Sequence, residues 1–469
     1  MITHSDMKSA LLSLAALLAM APPLARAYTG AGNAEATMTF DAAIRFDSSR
    51  APTAEEATAE IELQVKHLFG GMTNAARPAV PKNDHRITIR SILPVAGRAE
   101  SFEASYRYEG TVAMSDGAGT TYELYLPLHP RTIATDAVEA NGPATPLACT
   151  DESEPQAEYF WYFWSPERVG CRLAEGRDYV RVTASFAWKS DRHAFAPTYP
   201  EYARLVQTRD GAKVIPLTVL IGKFDGATSS KPLRSQDPGA VQFASMRSEL
   251  LALGFAEREI PKRDLKAVAK AGKKDGEIKR GKWISGYPYA RLYTKETPAG
   301  RMEVRLFYGD STDAGSNAFF ALYQDALKRD AIMIYDGHSG LGDYLSLANL
   351  KKDRGMTPKS DASIYQIFFF NSCTSYAYYN DSYFRWKASA ADPTGTKQLD
   401  ILTNGLSTGY TDGDTNMILV KAVHAWATGG ERASYAKITK LLSLGNLIGV
   451  NGDEDNASPA PSAAAAPSI

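Results

Sequence analysis

Two residues, His338 and Cys373, offer an imidazole and a thiol at the ends of two short apolar segments. The first segment, residues 331–337, reads AIMIYDG, and the second, residues 364–372, reads IYQIFFFNS. A cysteine attacks a carbonyl carbon as its thiolate, and a free thiol is mostly protonated near neutral pH, so it needs a neighbouring base. If the two side chains meet, His338 could act as general base and acid, and Cys373 as nucleophile.

The elements that would position this pair are two buried strands. Each segment is short, apolar and rich in β-formers, which is typical of a strand buried within a parallel sheet. In an open parallel sheet, reactive groups gather in the crevice beyond the carboxyl ends of the strands, so neighbouring strands would bring His338 and Cys373 face to face. Backbone N–H groups of Cys373 and of Ser339 or Gly340 are candidate donors to the oxyanion of a tetrahedral intermediate.

The amino-terminal residues predict an exported protein. Lys8 precedes an apolar run over residues 10–20, and Ala25-Arg26-Ala27 fits the small-x-small pattern of signal cleavage. We therefore expect a signal peptide over residues 1–27 and a mature chain in the periplasm or outside the cell. A membrane anchor is the alternative, but the run is too short to span comfortably, and no later stretch is long enough for stable membrane insertion.

Length, net charge and cysteine content limit the number of domains and the kinds of partner that we expect. The 469 residues suffice for two domains, and the net charge of -1 gives no bulk electrostatic reason to expect nucleic acid as a partner. We predict that Cys149 and Cys171 form a disulfide, because closing a loop of this length would stabilise the fold by roughly 3 kcal/mol. Cys373 is then left over, and an odd thiol in an exported protein is either a small buried hydrophobe or a reagent.

Residues 28–210 predict a strand-rich α+β domain. One helix over residues 53–69, with Thr53 before its first turn, stands among stretches rich in β-branched and aromatic residues. We expect strands over residues 38–46, 85–95, 100–114, 121–128 and 179–188. The six aromatic residues 159–164 favour core packing over a stacking platform, and the domain contains no catalytic or metal motif.

Residues 211–450 alternate strands with helices, which indicates right-handed crossovers and a mostly parallel sheet covered on both faces. Besides the two segments that end at His338 and Cys373, we expect strands over residues 213–222, 302–309 and 400–406, and helices over 245–258, 315–328 and 416–427. The basic stretch 262–282 predicts a solvated loop. Residues 451–469, which end in a segment of Ala, Pro and Ser, predict a disordered tail.

The order of strand, His, Gly and, about 35 residues later, strand, small residue and Cys resembles the caspase-hemoglobinase group of cysteine peptidases. The resemblance covers residues 213–445 and implies a caspase-like three-layer α/β sandwich that acts as an endopeptidase on peptides or proteins. In that group the third strand delivers the His, the fourth the Cys, and the Gly after the His an oxyanion donor. Here Ser339 stands directly after His338, and Gly340 follows it.

The group selects substrates by the charges in its pocket, and three aspartates are candidates for binding a basic side chain. Asp381, Asp412 and Asp414 follow strands on the expected side of the sheet, although Asp412 or Asp414 could instead cap the next helix. Residues 412–416 also resemble the start of a calcium loop, but Met417 and Val423 occupy its sixth and twelfth positions. The sequence therefore predicts no metal and no cofactor.

Two other functional classes compete with the peptidase. A serine hydrolase is suggested by Gly337-His338-Ser339-Gly340, but a nucleophile elbow needs Gly where Leu341 stands, and His424 falls within a predicted helix. The other class is a non-catalytic exported binding protein with a degenerate peptidase domain, in which the aromatic run 159–164 would bind the ligand.

Overall fold

The computed structural model describes most of the chain as a mixed α/β structure. The described residues are 28–30, 32–74, 79–81, 84–115, 117–141, 148–150, 164–189, 198–224, 236–312, 316–406, 408, 415–443 and 445–453. They form two sheets, one mostly antiparallel and one mixed, with helices packed on both.

The amino-terminal sheet is built on two long antiparallel strands that pair from Asn33 with Ser115 to Asp47 with Ser101. Its strands are β1 (Thr29–Gly30), β2 (Asn33–Asp47), β3 (Ala79–Pro81), β4 (Arg86–Pro94), β5 (Ser101–Ser115), β6 (Thr121–Pro127) and β7 (Tyr179–Trp188), and its helices are α1 (Ala54–Asn74) and α2 (Ile133–Glu139). Thr53 and Glu56 form a reciprocal capping box at the start of α1, as the sequence predicts. Ile61, Val65 and Leu68 of α1 pack into the core of this sheet.

The second sheet has five parallel strands at its centre, in the order β12-β9-β13-β14-β15. Its strands are β8 (Gln207–Arg209), β9 (Ala212–Gly222), β10 (Ala256–Glu259), β11 (Tyr289–Lys295), β12 (Arg301–Gly309), β13 (Ile332–Asp336), β14 (Gln366–Asn371), β15 (Leu399–Thr403) and β16 (Gly449–Asn451). Antiparallel strands β10 and β11 extend the edge beyond β12, and β16 pairs antiparallel with β15. The expected α/β architecture is therefore confirmed, while the sheet is mixed.

Helices cover both faces of this sheet and create a core on each side. The helices are α3 (Pro238–Ala252), α4 (Lys262–Lys274), α5 (Asn317–Arg329), α6 (Leu347–Lys352), α7 (Ser375–Tyr378), α8 (Asn380–Lys387), α9 (Thr415–Ala427) and α10 (Tyr435–Leu442). Along β14, Ile367 and Phe369 pack with α3, α9 and α10, whereas Phe368 and Phe370 pack with α4, α5 and α8. This alternation is the period-2 pattern of a strand that is buried on both faces.

The short strand β1 joins the two sheets edge to edge. Thr29 pairs with Val450 and Gly30 with Gly449 on β16, while Gly30 also pairs with Asn33 on β2. A single hydrogen-bonded path therefore runs from the mixed sheet into the antiparallel one.

The structure corrects two of the sequence predictions, one of a loop and one of the bounds of a helix. Residues 262–282 are not a loop throughout, because α4 occupies their first half and buries Leu265 and Ala269 one turn apart beneath a basic outer face. The helix expected over 245–258 begins earlier, because Asp237 caps α3 with Pro238 in its first turn, and residues 256–259 form β10.

Other predictions concern the cysteines and the termini. The disulfide between Cys149 and Cys171 is confirmed. The leader over 1–27 and the aromatic residues 159–163 lie outside the described residues, while Trp164 is fully buried. Residues 451–453, at the start of the expected tail, are buried as well. In the described part of the chain, we find no helix with the length and apolar character needed to cross a membrane.

Candidate active site

His338 and Cys373 follow neighbouring parallel strands at the same height. Asp336, the last residue of β13, is in register with Asn371, the last residue of β14, and the Gly337 N–H donates to the Asn371 carbonyl oxygen over 3.4 Å. His338 and Cys373 each come two positions later. Since neighbouring strands lie roughly 4.8 Å apart, the two backbones leave the sheet side by side at its carboxyl edge.

The site lies where the strand order reverses. β9 is flanked by β12 and β13, so the chain crosses to opposite sides of β9. In open α/β sheets, ligands bind beyond the carboxyl ends of the strands at such a reversal. Phe224, just after β9, places its ring edge-to-face against the His338 imidazole with 5.0 Å between ring centroids. The Phe224 N–H is held by the carboxylate of Asp237, the cap of α3, over 2.9 Å. His338 is thus packed from the β9 side.

Cys373 is a partly exposed free thiol on a constrained turn. Its Sγ lies 3.9 Å from the carbonyl oxygen and 3.8 Å from the hydroxyl oxygen of Thr408. The next residue, Thr374, has a φ of 52°, a left-handed conformation that is costly for a β-branched side chain. The Thr374 N–H donates to the Leu406 carbonyl oxygen over 3.0 Å, which ties this turn to the segment after β15. Backbone strain beside a reactive side chain is common at functional sites.

Two buried tyrosines hold the backbone at and after His338. The Tyr335 hydroxyl donates to the His338 carbonyl oxygen over 2.7 Å, and the Tyr379 hydroxyl donates to the Ser339 carbonyl oxygen over 3.2 Å. Ser339 itself is only 6% exposed, so the residue is more buried than Cys373.

Gly340 occupies a position that requires glycine. It begins a 3₁₀ turn over Gly340–Gly342 with a φ of 55°, and a Cβ at this position would clash with the Tyr344 ring. Within the described ranges, no acceptor is bonded to the backbone N–H of Ser339, Gly340 or Cys373. These three groups, all close in sequence to His338 or Cys373, are therefore candidate donors to an external acceptor.

A chain of buried amides lies directly beneath the two candidate residues. Asn404 donates to Asn371 over 3.0 Å, Asn371 donates to Asn416 over 3.1 Å, and Asn416 donates to the carboxylate of Asp336. Burial raises the pKa of Asp336 to about 6, while the bond from Asn416 opposes this effect. This series of hydrogen bonds joins β13, β14 and the residue after β15 to the start of α9. It fixes the strand ends from which His338 and Cys373 emerge.

These network residues did not stand out from the sequence. Asp336 and Asn371 are visible only as polar residues that end otherwise apolar strands, which is also the usual place for a strand to meet solvent. Asn404 and Asn416 carry no local signal, because their role depends on contacts across three strands and a helix.

The remaining predicted residues are placed as follows. Asp381 lies in the first turn of α8, a helix whose Tyr383 and Phe384 pack on the face covered by α4 and α5. Asp412 and Asp414 lie outside the described residues. His424 is within α9, as expected, and its Nε2 lies 2.8 Å from Lys295 Nζ, remote in the fold from β13 and β14.

We found no group of three or more His, Cys, Asp or Glu side chains suited to a metal ion among the described residues. No family model, curated protein or solved structure matches the chain.

Proposed function

We propose that this protein is an exported cysteine endopeptidase that uses His338 and Cys373 as a catalytic dyad. The observation that carries the proposal is the register between β13 and β14, in which both residues stand two positions beyond a directly paired couple. Asp336 and Asn371 make that couple, and the amide chain that joins them limits how far the two strand ends can separate. Covalent catalysis needs a base within hydrogen-bond reach of the nucleophile, and neighbouring strand ends are a suitable place to bring the two side chains together.

In the proposed reaction, the His338 imidazole accepts the thiol proton of Cys373, and the thiolate attacks the scissile carbonyl carbon. Its oxygen becomes an oxyanion that can accept hydrogen bonds from the N–H groups of Cys373 and of Ser339 or Gly340. His338 then donates the proton to the leaving amine, and a thioester remains on Cys373. Water, deprotonated by His338, hydrolyses the thioester and releases the second product.

We also propose a relationship to the caspase-hemoglobinase group. In chain order, β13 and β14 are the third and fourth of the five parallel strands, the positions at which the group carries its His and Cys. The sequence departs from the group at Ser339, which stands where the group usually has Gly, so the N–H of Ser339 and that of Gly340 are alternative second oxyanion donors. The confirmed disulfide and the predicted leader support an oxidising, extracytoplasmic location.

Thiol reactivity provides the first test, because Cys373 is the only cysteine outside the disulfide among the chain's three. Alkylation by iodoacetamide, followed by mass spectrometry across pH, should show a midpoint for Cys373 well below about pH 8.5, the pH at which an unactivated thiol is half ionised. The His338→Ala variant should move this profile up to that of a free thiol. A folded wild-type protein whose thiol stays inert would favour the non-catalytic binding protein.

Hydrolysis provides the second test. The purified protein, its Cys373→Ala variant and its His338→Ala variant should be profiled on a peptide library, with cleavage expected from the wild type alone. His424→Ala is the matched control, because it removes a histidine from α9 without touching the candidate site. Labelling of the Cys373→Ala protein by a fluorophosphonate probe would instead support a serine hydrolase.

A further inference from the structure

The turn that carries Cys373 is bonded to the amino-terminal sheet through a buried tyrosine and a buried glutamate. The Tyr376 hydroxyl donates to Oε1 of Glu35 over 2.8 Å, although the two residues are 341 positions apart in sequence. Tyr376 is fully buried in α7, and Glu35 on β2 is only 2% exposed. A hydrogen bond to a carboxylate in such a place is stronger than one between neutral groups.

The surroundings fix both partners of this bond. Lys189, after β7, has its Nζ 3.8 Å from the Glu35 carboxylate, and its backbone N–H donates to the Glu35 carbonyl oxygen over 3.1 Å. The Tyr28 ring packs on the Tyr376 ring with centroids 4.6 Å apart, while the Tyr28 hydroxyl donates to the Leu447 carbonyl oxygen over 2.6 Å. Tyr376 is therefore enclosed by both sheets.

The path from Tyr376 back to Cys373 is short and has little freedom. Thr374 is held in the left-handed region, and the Ser375 hydroxyl donates to the Phe370 carbonyl oxygen over 2.6 Å. The Tyr376 N–H donates to the Asn404 carbonyl oxygen over 3.0 Å. A displacement of the Tyr376 side chain would therefore shift the backbone that follows Cys373.

We propose that the amino-terminal sheet contributes a positioning residue to the catalytic site. This residue is Glu35, which fixes the Cys373 turn through its hydrogen bond with Tyr376. This inference rests on the proposed function, since it gives a role in thiol activation to a residue that touches no substrate. It also explains why a separate sheet is joined to the peptidase-like sheet beside its candidate nucleophile.

The test compares Tyr376→Phe, which deletes the hydroxyl, with Glu35→Gln, which keeps an oxygen that can accept from Tyr376. Hydrogen–deuterium exchange of the peptide covering residues 372–380 reports the turn, and the iodoacetamide rate of Cys373 across pH reports the thiol. Tyr365→Phe is the matched control, because this buried tyrosine donates to the carboxylate of Asp400 at the opposite end of β14. Thermal unfolding verifies that every variant is folded.

We expect Tyr376→Phe to increase exchange in residues 372–380 and to slow alkylation at neutral pH by about tenfold or more, because small misplacements of a reacting pair are costly. Glu35→Gln keeps an oxygen that accepts from Tyr376 but loses the charge of the carboxylate, so it should change both measurements in the same direction and by less than Tyr376→Phe does. Tyr365→Phe should change neither. Unchanged exchange in Tyr376→Phe, or an equal change in Tyr365→Phe, overturns the positioning role. If the wild-type thiol is inert, the peptidase proposal fails, and the exchange data alone decide whether Glu35 and Tyr376 fix the turn.

Discussion

The side-chain amide of Asn416 donates a hydrogen bond to the carboxylate of Asp336, two residues before His338. Asn416 lies in the first turn of α9, and its side-chain oxygen also accepts from Asn371 on β14. One side chain thus bridges the strands that lead to both candidate catalytic residues, and its contacts can be tested independently of substrate.

Replacing Asn416 by alanine should destabilise the fold and slow the thiol reaction. Asp336 and Asn371 would each lose a buried hydrogen-bond partner, which we expect to lower the free energy of unfolding by about 2–3 kcal/mol. Urea unfolding measures this loss, and iodoacetamide alkylation measures the effect on Cys373. In a double-mutant cycle with Asp336→Ala, the two changes should couple by about 1 kcal/mol or more. Additive effects would show that the bond contributes nothing specific.

The partly buried carboxylate of Asp336 should make the free energy of unfolding depend on pH. Burial raises its pKa from 3.8 to about 6, so the folded state binds the proton more tightly than the unfolded state does. Its contribution is therefore complete below pH 3.8 and is lost as the pH rises through about 6. Relative to wild type, Asp336→Asn should gain about 1–3 kcal/mol between pH 4 and pH 7.5, measured by urea unfolding. Asp353→Asn, at an exposed position, is the control, and a pH-independent difference for Asp336→Asn would contradict the prediction.

The left-handed conformation of Thr374 should lower the stability of the fold and raise the reactivity of Cys373. Thr374→Gly removes a strain of about 1–2 kcal/mol, partly offset by the greater freedom of glycine in the unfolded chain. We therefore expect a slightly higher melting temperature and a slower alkylation of Cys373, since the turn becomes less constrained. Asp210→Gly is matched to it, with a φ of 49° in the turn that leads into β9. We expect the control Asp210→Gly to leave the alkylation of Cys373 unchanged. If Thr374→Gly leaves it unchanged as well, the strain at Thr374 has no role in the site.

Gly340 should tolerate no side chain, for two separable reasons. Gly340→Ala would place a Cβ at positive φ, at a cost of about 1–2 kcal/mol, and against the Tyr344 ring, at a further cost of about 1 kcal/mol or more. Gly276→Ala isolates the first cost, because Gly276 has a φ of 71° and open space around it. Adding Tyr344→Ala to Gly340→Ala should recover the second cost in unfolding experiments. Equal losses for Gly276→Ala and Gly340→Ala would mean that the Tyr344 ring simply moves aside.

The sequence was informative where burial alone determines structure. The strands before His338 and Cys373 have apolar centres, over residues 332–335 and 367–370, and such runs are best buried in the middle of a covered sheet, where β13 and β14 lie. The same reasoning predicted α9 and the capped start of α1. The shared height of the two candidate residues follows from the pairing of Asp336 with Asn371, a register that no local pattern specifies.

The secondary-structure predictions were wrong in segments where most residues are polar and only a few are buried. In α4 the apolar residues are few, and the many lysines of this segment suggested a loop, although Leu265 and Ala269 suffice to dock the helix. The sequence analysis does not predict the antiparallel strands β10 and β11, because they carry several charged residues, which is usual at a sheet edge. The bond between Glu35 and Tyr376 depends on tertiary contact alone.

The two-residue strand β1 has a further consequence for the solution behaviour of the protein. By pairing with both β16 and β2, it occupies backbone groups that would otherwise lie at two open sheet borders. A border of unpaired N–H and C=O groups is a template for self-association. Fragments cut between residues 210 and 211 would each expose such a border. We therefore expect the separated halves to aggregate on dilution from urea, whereas the whole chain refolds as a monodisperse species.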